Sequence, residues 1–184
     1  MSDRQAAAPA GGRVGIPEAM RQAAALHQAG RLTDAERIYR AVVEAAPAHF
    51  DALQMLGILC VQTGHAGEGA ALLTRAVNAN PGSADAHANL ANVLKQLGRL
   101  DDALTHCDHA VALKPGSAGI HNIRAGVLLD MGRHDDAIAS CDAALAADPR
   151  VAEAHYHRGV ALQAKGRGDD ALASYDRALA LVPA

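Results

Sequence analysis

Residues 84–117 read ADAHANLANVLKQLGRLDDALTHCDHAVALKPGS, and the spacing inside this stretch recurs along the whole chain. Gly98 has counterparts at Gly30, Gly64, Gly132 and Gly166, each 34 residues from the next, and Pro115 has counterparts at Pro47, Pro81, Pro149 and Pro183. A fixed period of this length marks stacked supersecondary units, each too small to bury a hydrophobic face alone. Five units follow, over residues 16–49, 50–83, 84–117, 118–151 and 152–184. Residues 1–15, rich in Ala, Gly and Pro, are expected to form a disordered lead.

Within each unit the small residues stay in register. Ala35, Gly69, Ala103, Ala137 and Ala171 form one column, and Val42, Ala76, Ala110, Ala144 and Ala178 a second. Ala23, Gly57, Ala91, Ala125 and Gly159 form a third. Small side chains at fixed places are what two helices need where they cross closely, so each unit reads as a helical hairpin. The recurring Gly ends the first helix in a left-handed conformation. Thr33, Asp101, Asp135 and Asp169 are candidate N-caps of the second helix, followed in every unit by an acid, Asp34, Glu68, Asp102, Asp136 or Asp170, suited to a helix N-terminus. The Pro, which cannot continue a helix, closes the unit.

Composition agrees with an all-α fold. Of 184 residues half are hydrophobic and 44 are Ala, yet there are three Tyr, one Phe and no Trp. Ala and Leu favour helix, and the β-branched and aromatic residues that favour strands are scarce. Twenty acidic against 17 basic residues give a net charge of −3, with no electrostatic footprint for nucleic acid or an anionic membrane. No stretch reaches the 18–20 apolar residues of a membrane helix, and the first 15 residues lack a signal-peptide core. Three Cys without framework spacing suit a reducing compartment. A cytoplasmic location is the expectation, with no membrane or nucleic-acid partner.

These units resemble the tetratricopeptide repeat family, whose pattern places a bulky residue at position 4, Leu at 7, Gly or Ala at 8, an aromatic residue at 11, Ala at 20, an aromatic residue at 24, Ala at 27 and Pro at 32. The fifth unit supplies His155, Gly159, Leu162, Ala171, Tyr175, Ala178 and Pro183, and the third His87, Leu90, Ala91, Leu94, Ala103, Cys107, Ala110 and Pro115. Arg124 and Arg158 stand where Leu is usual, Gly69 replaces Ala, and the first unit departs at Ala19 and Gln22. The resemblance implies a right-handed α-solenoid of five helix-turn-helix units whose first helices line a concave groove. Segments such as ADAHANLANVLKQLGRLDDAL and AEAHYHRGVALQAKGRGDDALASYDRALAL also look like the repeat region of bacterial O-linked N-acetylglucosamine transferase-like (SPINDLY-type) glycosyltransferases. Under that second resemblance the chain would be the substrate-recognition arm of an enzyme whose catalytic domain lies outside it.

Mapped onto the groove, the family pattern selects Gln54, Met55, Ile58, Asn89, Asn92, Lys95, Asn122, Ile123, Tyr156 and His157 as candidate peptide-binding residues. Amides can hydrogen-bond a peptide backbone, and Asn89 and Asn92, one turn apart, lead this set. Tyr156 is the one aromatic anchor the groove offers. A cationic clamp for a chain-terminal carboxylate would need several converging cations, and Lys95 stands nearly alone. A neutral or polar extended protein segment is the expected partner.

Other features read as structural. His106, Cys107 and His109 fall short of a four-ligand metal site, so no metal or other cofactor is expected, and Cys107 and Cys141 read as buried packing residues without a disulfide. His87, His121 and His155 recur at position 4 as half-buried fillers, and the Arg31, Arg99, Arg133 and Arg167 column as local ion pairs with the neighbouring acids. No set of nucleophile, base and oxyanion donor is present, nor a phosphate-binding Gly loop, so the chain reads as a non-catalytic interaction scaffold. Leu172, Tyr175 and Leu179 have no following unit to cover them. Two expectations stand for that end, natural continuation of the chain or self-association through the uncapped C-terminal helix.

Overall fold

The computed structural model describes residues 15–182, which form ten helices and no strand. They are α1 Ile16–Gln28, α2 Leu32–Ala45, α3 Phe50–Gln62, α4 Ala66–Ala79, α5 Ala84–Gln96, α6 Leu100–Leu113, α7 Ala118–Asp130, α8 His134–Ala147, α9 Ala152–Ala164 and α10 Gly168–Leu181. The lead expected over residues 1–15 lies, apart from Gly15, outside the described residues, as do Pro183 and Ala184. Two compact units are present, the first ending at Pro47 and holding the α1–α2 hairpin, the second beginning at Ala48 and holding the four hairpins α3–α10.

The turns follow from backbone chemistry. Gly30, Gly64, Gly98, Gly132 and Gly166 all have φ between 71° and 85°, a region that L side chains avoid. At Gly98 the backbone closes with Arg99 N–H donating to Leu94 O at 2.9 Å and Gly98 N–H to Lys95 O at 3.0 Å, the pairing that satisfies the last carbonyls of a helix. The second helices α2, α4, α6 and α8 each end at a residue that precedes Pro, Ala46, Asn80, Lys114 or Asp148, with φ between −140° and −147°, the extended conformation that a following Pro imposes.

The start of the second helix differs from the sequence expectation. The N-caps are Arg31, His65, Arg99, Arg133 and Arg167, none with a side-chain cap hydrogen bond. Thr33, Asp101, Asp135 and Asp169 lie inside the helix. In four units the N-cap Arg instead reaches the acid three residues on: Arg31 Nε donates to Asp34 at 2.9 Å, Arg99 to Asp102 at 2.8 Å, Arg133 to Asp136 at 2.8 Å and Arg167 to Asp170 at 2.9 Å. Exposed pairs of this kind stabilise by about 0–1 kcal/mol each.

All three columns of small residues are buried. In the second unit they surround a core in which Leu73, Leu90, Leu94, Cys107 and Val127 meet. Cys60, Cys107 and Cys141 are buried and in no disulfide, and burial pushes the Cys107 and Cys141 thiols up to about 12. They act as small hydrophobes rather than nucleophiles.

The departures from Leu at position 7 turn out to be one repeated device. Arg124 Nε donates to Asp108 Oδ1 at 2.7 Å and its Nη1 to Ser140 Oγ at 2.7 Å. One repeat later Arg158 does the same with Asp142 at 2.7 Å and Ser174 at 3.0 Å. Each Arg thus ties the second helix of the preceding repeat to the second helix of its own. Because the Asp partners are about half exposed, Arg124→Leu is expected to cost a modest 0.5–1.5 kcal/mol, roughly. Urea denaturation of the Arg124→Leu, Asp108→Asn and double variants checks this, and additive single effects would contradict the coupling.

In the second unit, first helices also touch across repeats: α3 meets α5, α5 meets α7 and α7 meets α9. No comparable contact joins the successive second helices among the described residues. Helices that touch on one side and splay on the other curve the stack. The first helices therefore form the inner wall of the second unit.

Candidate peptide-binding face

That inner wall is built from the exposed stripe of α3, α5, α7 and α9. Gln54 and Met55 on α3 are half-buried, and Ile58 packs against the core. On α5, Asn92 is exposed, while Asn89 and Lys95 are half-buried. Ile123 on α7 leans into the core, leaving only part of its surface on the wall. Tyr156 on α9 is 55% exposed, its ring 6.0 Å from those of His157 and Tyr175.

Asn122 is a correction. It is buried, and both ends of its amide are held by the next repeat: Nδ2–H donates to Glu153 Oε2 at 2.9 Å, and Oδ1 faces His157 Nδ1 at 2.9 Å. It positions His157 instead of presenting an amide to a partner. Burial, and then the Lys95 ammonium, hold His157 below the ordinary imidazole range.

Four of the ten candidates thus meet at one place. Lys95, Tyr156 and His157 border a recess of about 280 Å³, with Asn122 behind His157. Its other walls are Gly126, Leu129 and Asp130 of α7, His134 and Val160. Lys95 Nζ lies 3.8 Å from an Asp130 carboxylate oxygen. Gln54, Met55 and Ile58 do not take part, since they sit on α3 outside its walls. Gly126, Asp130, His134 and Val160 are absent from the sequence-derived set. Gly126 carried a readable signal, because a mid-helix Gly costs about 1 kcal/mol relative to Ala and its counterparts are Ile58, Asn92 and Val160. A second, apolar recess of about 430 Å³ lies at the far end of the unit, between Tyr156, Tyr175, Leu179 and Val182.

The position-4 histidines do more than fill space. His121 Nε2–H donates to Pro115 O at 2.8 Å and His155 Nε2–H to Pro149 O at 3.0 Å, each pinning the turn before its own helix. His87 makes the same bond to Pro81 O at 3.2 Å, and its Nδ1 lies 2.9 Å from His106 Nδ1. With Nε2 donating, His87 Nδ1 accepts and His106 Nδ1 carries the proton. A second proton between them would break the contact. Burial holds both rings below the ordinary imidazole range, opposed at His106 by Asp102 and reinforced by His109 and Arg99. The stability they contribute is fully present above about pH 6.5, the unfolded value, and is lost as pH falls through and below it. The midpoint of thermal unfolding is expected to drop between pH 7.5 and 5, and less in His106→Gln; an equal drop in both would contradict the assignment.

Two tetratricopeptide repeat family models match this chain, one over residues 64–126 and one over 124–184, together about two-thirds of it. The chain belongs to the tetratricopeptide repeat family. Its repeats are 24% identical to the crystal structure of MamA, with a TM-score of 0.78 over 86% of this chain and 93% of that one. MamA residues 41-end from Desulfovibrio magneticus RS-1 give a TM-score of 0.81 at 16% identity, over 90% and 94% of the two chains. YrrB, described as a TPR protein with an unusual peptide-binding site, gives 0.75 at 24% identity over 92% and 87%. At such identities the likeness speaks for the fold. A 54-residue stretch is 50% identical to Cellulose synthase 2 operon protein C of Komagataeibacter xylinus, covering 29% of this chain and 4% of that protein's length.

Proposed function

We propose that the second unit is a protein-interaction scaffold that holds an extended protein segment along the wall of α3, α5, α7 and α9. The observation that carries this reading is the row Asn89, Asn92 and Lys95 on α5, continued by Tyr156 and His157 on α9: polar and aromatic groups on the inner wall that the packing of the repeats leaves accessible. The description of the similar YrrB as having a peptide-binding site supports the same use of the fold. Asn89 and Asn92 present amides one turn apart, the spacing that lets two side chains on a helix address one strand of backbone. An acidic chain terminus is disfavoured as the bound feature because Lys95 already has Asp130 beside it.

Peptide-array binding by the full chain and by Asn89→Ala/Asn92→Ala tests the reading. The double variant is expected to bind about tenfold more weakly, from two lost hydrogen bonds of about 0.5–1.5 kcal/mol each. Unchanged binding would remove this pair from the site.

A further inference from the structure

The recess at Gly126 has a donor on one side and an acceptor on the other. A Cβ on Gly126 would stand 3.4 Å from Lys95 Nζ and 3.5 Å from His157 Cε1, with His157 Nε2 at 3.8 Å. The missing side chain therefore leaves an ammonium and an imidazole edge facing the same small volume. The tautomer of that imidazole is set from behind. Glu153 can only accept, so Asn122 turns its NH2 to Glu153 and its Oδ1 to His157, and that oxygen requires a proton on His157 Nδ1. Neutral His157 then presents Nε2 to the recess as a bare lone pair. Lys95 offers only donors.

We propose that this recess is a carboxamide subsite, in which Lys95 Nζ donates to the carbonyl oxygen of an Asn or Gln side chain and His157 Nε2 accepts from its NH2. The proposal rests on the groove reading above and names the side chain that groove selects. A carboxylate has no proton to give His157 Nε2 and would also meet Asp130, whereas an apolar side chain would leave His157 Nε2 without a donor, at a cost. Leu129 and Val160 close the recess around the methylene stem, and Tyr156 borders it on the solvent side.

Two measurements on the full chain test this. Two-bond ¹H–¹⁵N correlations at pH 7.5 read the His157 tautomer directly: Nδ1–H is expected, and Nε2–H overturns the proposal. The second uses N-acetylated, C-amidated ten-residue peptides with one central residue set to Gln, Asn, Glu or Leu in mixed flanks. Gln and Asn peptides are expected to bind about tenfold better than their Glu and Leu counterparts. The preference should vanish in Lys95→Met and shrink in Gly126→Ala, with circular dichroism confirming that each is folded. If Gly126→Ala fails to fold, Lys95→Met alone carries the comparison. Equal binding of Gln, Glu and Leu peptides overturns the carboxamide assignment and leaves the groove standing. Binding of no peptide at all overturns both.

Discussion

Leu90→Ala is expected to destabilise the second unit by about 2–5 kcal/mol, measured by urea denaturation of the full chain. Leu90 is fully buried on α5, where it meets the core built around Leu73, Leu94 and Cys107. The stack transmits the loss, because each repeat is stabilised mainly by its neighbours. Leu172→Ala supplies the contrast: this residue is 61% exposed on α10, and its loss should stay within about 0.5 kcal/mol. A Leu90 effect as small as that of Leu172 would contradict the placement of the core.

Gly69→Ala is expected to destabilise as well, although it restores the residue that the other four repeats carry. A Cβ there would lie 2.8 Å from Gly57 O and 2.6 Å from Val61 Cγ2. In the same hairpin a Cβ on Gly57 would lie 2.8 Å from Leu73 Cγ and 3.2 Å from Gly69 O. Both crossing positions are Gly, so α3 and α4 approach more closely than an Ala allows, and at each the obstacles include, beside a side chain, a backbone carbonyl of the facing helix that cannot rotate away. Overpacking of about 1–3 kcal/mol outweighs the helix-propensity gain of up to about 1 kcal/mol. A lower urea midpoint checks it. Increased stability would show that α3 and α4 part without cost.

The recurring Gly and Pro made the fold readable, because each imposes a backbone conformation that no neighbouring residue alters: left-handed at Gly98, extended before Pro115. The small columns were equally direct, since a close helix crossing favours Ala and Gly, and only Val42 in the three columns is larger. Side-chain partners were less so. Arg124 could be seen to break the pattern, but not that Asp108 and Ser140 receive it. Asn122 looked like its neighbours Asn89 and Asn92, and only the approach of Glu153 and His157, 31 and 35 positions along the chain, turns its amide inward. Periodicity shows that a position recurs on one face. It does not show whether the next repeat brings a partner to it.

The most direct measurement is an amide ¹H–¹⁵N correlation map of the full chain with and without an array-selected peptide. Shift changes are predicted to concentrate on the inner wall, at Asn89, Asn92, Lys95, Gly126, Tyr156 and His157. Changes confined to the outer helices α4, α6 and α8, with this wall undisturbed, would contradict it.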